Sequence, residues 1–194
     1  MDKIILASKS EIRKKILEEN NIKCEVVPSN LDEEPIKSHL IKDGASPELI
    51  SKNLAELKAN KVSLSREDKL VLGADSVINL NKSIISKPKS REEALNILER
   101  LNGKKHELIS SVCISRNGSM IWNYSDKAIL EMKNFDIEYL KDYLSRITDK
   151  ILYSYNVYQI EGRGKELFKS INGDLTTVMG LPIIKIKDYL EKLQ

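Results

Sequence analysis

The hydrophobic and polar positions along the chain follow two periods, which predicts strands mixed with helices. Short apolar runs rich in β-branched residues predict strands at 3–7, 23–28 and 69–75. Apolar residues at helical spacing, each set preceded by a capping serine, predict helices that begin after Ser10, Ser46 and Ser90. Further amphipathic helices are predicted over 137–147 and from Pro182 onward. The alternation of the two element types predicts an α/β fold.

The segment 69–88 is the one around which the chain is organised. Its apolar run ends at Asp75 and predicts a buried strand that delivers this acid to the edge of the sheet, where ligands of open α/β sheets bind. A hairpin follows with its turn at 79–82, and Lys87 comes out before a proline. Asp75 is therefore the first catalytic candidate. The alternative is that Asp75 only caps the strand end and that Lys87 is a solvated loop lysine.

The other segments carry weaker signals. Two long strands, 104–116 and 119–130, are predicted around the hairpin turn at 117–118. The acids at 32–34 predict a loop that is either simply solvated or relieved of its repulsion by a divalent cation. The tyrosines and glycines of 153–164 indicate a binding loop or ordinary sheet packing, and a short helix is predicted over 165–171.

Composition limits the class of protein. The 32 lysine and arginine residues and 29 acids are interspersed, so the net charge of +3 forms no basic stripe and nucleic acid is not expected as a partner. Cys24 and Cys113 are the two cysteines, far apart, which argues against a disulfide framework and fits a cytoplasmic protein. No targeting or membrane segment is expected. With 194 residues, we expect one domain over 1–194.

The start of the first helix has two interpretations. Ser10 stands at the N-cap position, so its presence is explained without any ligand. Alternatively, Ser8, Ser10 and the free amides of the helix start form an anion site, to which Arg13 adds a permanent charge suited to phosphate. Lys58, beside the apolar stripe of the second helix, is by default a surface lysine.

Several stretches together match one family in the same order. They are Ala-Ser-Lys-Ser at 7–10 with Arg13, Leu-Gly-Ala-Asp-Ser at 72–76, Ser-Lys-Pro at 86–88, Ile-Glu-Gly-Arg-Gly at 160–164, Asn-Gly-Asp at 172–174 and Gly-Leu-Pro at 180–182. By this ordered set the chain resembles the Maf family of nucleoside triphosphate pyrophosphatases. The resemblance implies a mixed, partly open twisted sheet flanked by helices, similar to inosine triphosphatases, with a cleft between two lobes.

The resemblance also implies an activity and the residues that perform it. Family members are cytoplasmic hydrolases that convert nucleoside triphosphates, including non-standard or modified ones, to monophosphate and pyrophosphate with Mg²⁺ or Mn²⁺, commonly as dimers. A homodimer is therefore one expectation. Carried over by position, Asp75 would be the proton acceptor and would share the metal with Glu33. The triphosphate would be held by Ser8, Ser10, Arg13, Lys58 and Lys87, and Glu161 would contact the substrate.

Two positions depart from the branch that resembles pyrimidine triphosphatases. That branch has a second arginine where this chain has Ile12, and a glutamine where this chain has Glu161. The first change removes a charge-assisted contact, and the second alters the hydrogen-bond code next to the base. Glu161 could instead join the metal site. The alternative function is a catalytically weak nucleotide-binding regulator of cell division or shape, which the loss of the arginine at position 12 keeps open.

Overall fold

The architecture is a mixed sheet flanked by helices, and this confirms the predicted fold class. The computed structural model describes residues 3–155 and 157–193. Within these residues the strands are β1 (Ile4–Leu6), β2 (Cys24–Val26), β3 (Val71–Leu80), β4 (Ser83–Ile85), β5 (Lys105–Arg116), β6 (Ser119–Met132) and β7 (Phe168–Asn172). Their order across the sheet is β2-β1-β3-β5-β6-β7, and β4 also pairs with β3. The pairs β1–β2 and β1–β3 are parallel, and the other pairs are antiparallel.

Three of the helices begin directly after the capping serines, as predicted. The helices are α1 (Glu11–Glu19), α2 (Glu33–Lys42), α3 (Pro47–Ser63), α4 (Arg91–Leu101), α5 (Ile137–Ser145), α6 (Asp149–Tyr155), α7 (Leu175–Val178) and α8 (Ile183–Glu191), with a 3₁₀ helix at Arg163–Leu167. Ser10, Ser46 and Ser90 each accept a hydrogen bond from the backbone N–H three residues further on. In the described part of the chain, none of the helices is long and apolar enough to cross a membrane.

Helix α3 packs unusually closely on β3 because Gly73 carries no side chain. A Cβ atom at this position would lie 2.1 Å from the carbonyl oxygen of Ala55 and 2.7 Å from the amide nitrogen of Ala59. Ala55 and Ala59 are themselves fully buried against the sheet. Because the residues at this contact are small on both elements, the helix backbone approaches the strand closely. The longer side chains of α3 extend beyond this contact.

Polar residues separate two apolar clusters on one face of the sheet. One cluster contains Leu72 and Val112, and the other contains Ile78 and Leu108, on the same two strands. Between them, in register across β3, β5 and β6, lie Ser76, Ser110 and Asp126. The boundary between the two clusters therefore crosses β3 next to Asp75.

Two local predictions are wrong, and the limits of a third segment differ from those predicted. The acidic segment is not a loop, because Glu33, Glu34 and the following proline form the first turn of α2, where acids complement the helix dipole and a proline is tolerated. The segment predicted as a helix at 165–171 is a 3₁₀ turn followed by β7, which pairs with β6. The predicted binding loop at 153–164 begins inside α6, and its Asn156 lies outside the described residues. The predicted hairpin is confirmed, with Asn81 and Lys82 as its turn.

Candidate active site

Asp75 lies at a gap in the sheet and not at the end of a strand. Strand β3 is longer than the sequence predicted, so Asp75 stands in its middle, 7% exposed. The parallel pairing of β3 with β1 ends at Leu72, and β4 pairs on β3 only from Ile78. Between these points the described strands leave that side of β3 open. Asp75 therefore sits at the carboxyl end of β1, the position that ligands of α/β sheets use.

Lys58 is the direct partner of Asp75. Its Nζ lies 2.7 Å from Asp75 Oδ1 and 3.0 Å from Glu33 Oε2, and the lysine is 7% exposed. The default prediction of a surface lysine is wrong, because the close packing of α3 on β3 buries this side chain. Burial raises the pKa of Asp75, the charge and hydrogen bond of Lys58 oppose this shift, and the nearby Glu33 adds to it.

Arg13 is held by the protein through most of its donors. Its Nε donates to the Gly180 carbonyl (2.9 Å), and its Nη1 donates to the Ala74 carbonyl (2.8 Å) and to Ser8 Oγ (3.2 Å). Its Nη2 donates to Ser76 Oγ at 3.1 Å. A guanidinium has about five N–H groups, so one Nη2 hydrogen remains for a ligand. Although the residue as a whole is half-buried, its guanidinium is enclosed, and desolvation lowers its pKa against the raising effect of Asp75.

The two serines at the start of α1 serve the local structure. Ser10 caps the helix by accepting from the Arg13 amide at 3.4 Å, which confirms its structural interpretation. Ser8 Oγ accepts from the Ser10 amide and from Arg13, both at 3.2 Å. Both hydroxyl groups keep their hydrogens free for an acceptor, so a contact with phosphate stays a prediction for each.

Lys87 follows β4 and faces the same cluster. Burial is the main cause that lowers its pKa, the charge of Arg13 adds to the effect, and the acids Asp75 and Glu33 oppose it. The residue as a whole is exposed, and the charges of Arg13, Asp75 and Glu33 act on its ammonium group.

Glu161 is the one predicted site residue that stands apart. It is exposed, in a turn before the 3₁₀ helix, and its Oε1 accepts from Gln159 Nε2 at 3.0 Å. Within the described residues it forms no hydrogen bond or ion pair with the other predicted site residues. The structure thus brings together the side chains of Ser8, Ser10, Arg13, Glu33, Lys58, Asp75 and Lys87.

A chain of hydrogen bonds behind Arg13 was not predicted from the sequence. Ser110 Oγ donates to the Thr177 carbonyl at 2.7 Å, so its contact of 2.8 Å with Ser76 must be one in which Ser76 donates. Ser76 in turn accepts from Arg13, which fixes every hydrogen along the chain. The position of Ser76 next to Asp75 was the only sequence signal for it. Ser110 carries none, because serines in a long strand have no distinctive pattern.

The carboxylates fit a divalent cation in part. Among the described residues, no group of three or more histidine, cysteine, aspartate or glutamate side chains could hold a metal ion. Glu33 and Asp75, however, converge on one cationic nitrogen, so their oxygens face a common position. Mg²⁺ is often held by one or two carboxylates together with substrate phosphates. The donor set therefore suits a metal that brings most of its ligands with it.

The fold and this cluster define an α/β protein with a buried carboxylate among three cationic side chains, a combination suited to an anionic ligand. The profile of the Maf-like protein family matches residues 3–193. The chain belongs to the Maf family, which confirms the resemblance read from its motifs.

Named relatives are similar over nearly the whole chain. A nucleoside triphosphate pyrophosphatase of Pelagibacter ubique (strain HTCC1062) is 64% identical over 97% of this chain and 96% of its own length. A 7-methyl-GTP pyrophosphatase of Brucella abortus biovar 1 (strain 9-941) is 35% identical over 98% of this chain and 96% of its own. Among solved structures, the Staphylococcus aureus Ham1 protein is similar over 100% of both chains, with a TM-score of 0.46 and 14% identity.

Proposed function

We propose that this protein is a nucleoside triphosphate pyrophosphatase, which hydrolyses the bond between the α and β phosphates to release monophosphate and pyrophosphate. The observation that carries the proposal is the cluster in which Lys58 joins Asp75 to Glu33. The names of the relatives support the reaction class, a hydrolase acting on acid anhydrides. A pure nucleotide sensor would need the cations but not a buried carboxylate beside them.

In the proposed reaction, Asp75 accepts the proton of the attacking water. The water oxygen forms a bond to the α phosphorus, the bond to the bridging oxygen breaks, and pyrophosphate leaves with the electron pair. A base works best when its pKa approaches the working pH, and burial shifts the pKa of Asp75 in that direction. In the nucleotide-free site, Lys58 holds this carboxylate in place through a bond of 2.7 Å.

The cationic side chains hold the triphosphate. Lys87 has no hydrogen-bonded partner among the described residues, so its full ammonium group is available to phosphate oxygens. Arg13 offers its remaining Nη2 hydrogen, and the hydroxyls of Ser8 and Ser10 add donors beside it. Fixed donors of this kind stabilise the charge that develops on phosphate oxygens in the transition state.

A divalent metal, Mg²⁺ or Mn²⁺, completes the proposal. Glu33 and Asp75 would hold it, and when bound it would neutralise charge on the phosphate oxygens and polarise the phosphorus. The remaining positions of its coordination shell would be filled by the substrate and water, since the described residues offer no third ligand nearby.

We take Glu161 as a residue that suits a guanine base. A carboxylate accepts hydrogen bonds and donates none, so Glu161 suits a base edge with N–H groups, such as the N1 and N2 edge of guanine. Several relatives are named 7-methyl-GTP pyrophosphatases. We include a guanine nucleotide modified in this way among the substrates.

The test is a panel of nucleoside triphosphates, standard and modified, incubated with the purified protein and Mg²⁺ or Mn²⁺. We expect equimolar pyrophosphate and monophosphate, with 7-methyl-GTP and GTP ahead of the pyrimidine nucleotides. Release of inorganic phosphate alone would contradict cleavage at the α–β bond. Tight binding with no release would instead support the regulator, and a preference for pyrimidines would overturn the role given to Glu161.

We further propose a cytoplasmic homodimer. Cys24 and Cys113 are both free thiols, as a reducing compartment favours. Among the described strands, β7 pairs with the outer edge of β6 only from Ile129 onward, so the first part of this edge has no partner strand. Met120 and Ile121 on this part of β6 are exposed. A long free edge is commonly covered by another chain. Sedimentation velocity should give about twice the mass of one chain, and a monomer at all concentrations would refute the dimer.

A further inference from the structure

The ammonium group of Lys58 occupies the point on which both candidate metal ligands converge. It is 2.7 Å from Asp75 Oδ1 and 3.0 Å from Glu33 Oε2, with Lys58 and Asp75 each 7% exposed. One oxygen of each carboxylate thus has a cationic partner without any metal. Lys58 and Asp75 are buried, whereas the Glu33 side chain is 42% exposed, and losing one partner of a buried ion pair leaves the other charge uncompensated.

A divalent ion and this ammonium group cannot share the position. Mg²⁺ binds carboxylate oxygens at roughly 2.0–2.1 Å, inside the distance at which Lys58 now contacts them. An ion held by both acids would stand close to Nζ, and two adjacent cations repel strongly in a poorly solvated site. The positive charges of Arg13 and Lys87 act on the same region and add to the repulsion.

We propose that Lys58 is the resident cation of the nucleotide-free site, and that a divalent metal enters only with a triphosphate. The proposal rests on the function proposed above. The metal takes the two carboxylates, and the triphosphate, which carries several negative charges, takes the displaced ammonium group and offsets the other cations. Lys58 thus changes partner from carboxylate to phosphate during substrate binding, and it keeps the metal site closed to free metal.

The first experiment measures Mn²⁺ binding without nucleotide at pH 8, from the electron paramagnetic resonance signal of free Mn²⁺. We expect the wild-type protein to bind weakly and Lys58→Met to bind at least tenfold more tightly. Lys52→Met is the matched control: it removes a positive charge from the same helix, at a residue with no hydrogen bond or ion pair in the described chain. It should match the wild type. Equal or weaker binding by Lys58→Met would overturn the proposal.

A second variant tests where the additional Mn²⁺ binds. In Lys58→Met combined with Glu33→Gln, the tighter Mn²⁺ binding should disappear, because one of the two carboxylates is lost. If the gain persists, the metal binds elsewhere and Lys58 does not guard this position. Thermal unfolding of each variant shows whether it is folded, and Lys58→Gln replaces Lys58→Met if the latter is not.

Anomalous scattering from crystals tests the wild-type protein directly. Crystals grown without nucleotide and soaked in Mn²⁺ should show no ion between Glu33 and Asp75. Crystals grown with Mn²⁺ and an α,β-methylene triphosphate should show the ion there, with Lys58 turned toward phosphate. An ion between the carboxylates in the nucleotide-free crystals would overturn the proposal. Failure of the proposed function has another signature, the absence of pyrophosphate release by the wild type.

Discussion

Burial gives Asp75 a chemistry that an exposed aspartate lacks. Its carboxylate is 7% exposed, its pKa is raised by desolvation, and Lys58 holds it in place. We predict that Asp75→Asn lowers kcat by about 10²- to 10⁴-fold, the usual contribution of a positioned general base. Asparagine keeps the shape and can still accept from Lys58, so the fold should persist.

Steady-state pyrophosphate release, with thermal unfolding measured in parallel, checks the role of Asp75. The control is Asp68→Asn, which changes an exposed acid in the turn before β3 and should leave kcat unaltered. If Asp75→Asn turns over as fast as the wild type, another group activates the water. If it fails to fold, Asp75→Glu separates the two effects, because it keeps the charge and moves the carboxylate.

His106 links stability to pH. It is 3% exposed, its Nε2 contacts the Tyr158 hydroxyl at 3.0 Å, and its Nδ1 has no hydrogen-bond partner among the described residues. Burial lowers its pKa from 6.5 to about 4, so between these values the unfolded chain binds a proton that the folded chain does not. Stability from this residue is complete above pH 6.5 and falls as the pH decreases, by roughly 2 to 3 kcal/mol near pH 4.5.

Urea unfolding at pH 7 and pH 4.5 checks this linkage. In His106→Asn the loss of unfolding free energy between the two pH values should be smaller than in the wild type by roughly 2 kcal/mol. His39→Gln, at an exposed position on α2, should leave the wild-type dependence unchanged. Identical pH profiles for the wild type and His106→Asn would show that other groups dominate acid unfolding.

For single residues, the sequence predicted which residues matter better than it predicted their burial and their contacts. Ser10 was recognisable as a helix cap, and Asp75 as the acid that follows an apolar run. The burial of Lys58 was not predictable, because it depends on the close approach of α3 to Gly73 on another element. The four hydrogen bonds that Arg13 donates within the protein were not predictable either, because two of their acceptors are backbone carbonyls.

The turn that follows α7 sets the position of Arg13. Gly180 follows α7 with φ at +94°, and a Cβ atom there would lie 3.1 Å from Ser76 Oγ and 3.2 Å from Arg13 Nε and Nη2. We predict that Gly180→Ala costs about 1 kcal/mol or more in stability from the backbone alone. It should also displace the guanidinium and raise KM for the triphosphate.

Gly44→Ala is a matched control for Gly180→Ala. Gly44 also has a positive φ, +75°, but a Cβ atom there would meet no other atom within 4 Å. Gly44→Ala should lose stability through its backbone alone, Gly180→Ala should lose at least as much, and only Gly180→Ala should change KM. Denaturant unfolding and initial rates measure the two effects separately. If the two variants have the same KM, the contact between Gly180 and Arg13 does not bear on substrate binding.

Among the elements, prediction failed where pairing with a distant strand overrode a local pattern. The spacing of Leu167, Phe168 and Ile171 suits a helix, yet Phe168 and Ile171 stand opposite Met132 and Leu130 in the ladder with β6. Acids and a proline at the start of α2 looked like a loop, although each is well suited to a first helical turn. The hairpin of β3 and β4 and the three serine-capped helices were predicted correctly because their signals are local.

For the whole molecule, the site exists only where separate parts of the chain meet. The bond between Arg13 and Gly180 spans 167 positions, and that between Lys58 and Asp75 spans 17. The site lies at the boundary of the two apolar clusters, because Ser76 and Ser110 interrupt the apolar packing there. No short segment of the sequence contains all of these residues. Only the ordered set of motifs along the whole chain therefore indicated the site.

A site assembled in this way predicts that substrate binding stabilises the entire fold. Residues from α1, α3, β3 and the segment after β4 surround the proposed ligand position, so the unfolded chain cannot bind it. An α,β-methylene triphosphate with Mg²⁺ at about 100 times its Kd should add about 2.7 kcal/mol. For a chain of this size, Tm should rise by about 5 to 10 °C. Calorimetry with the nucleoside monophosphate as control should show a smaller shift. An unchanged Tm at saturation would mean that the bound nucleotide does not join these segments.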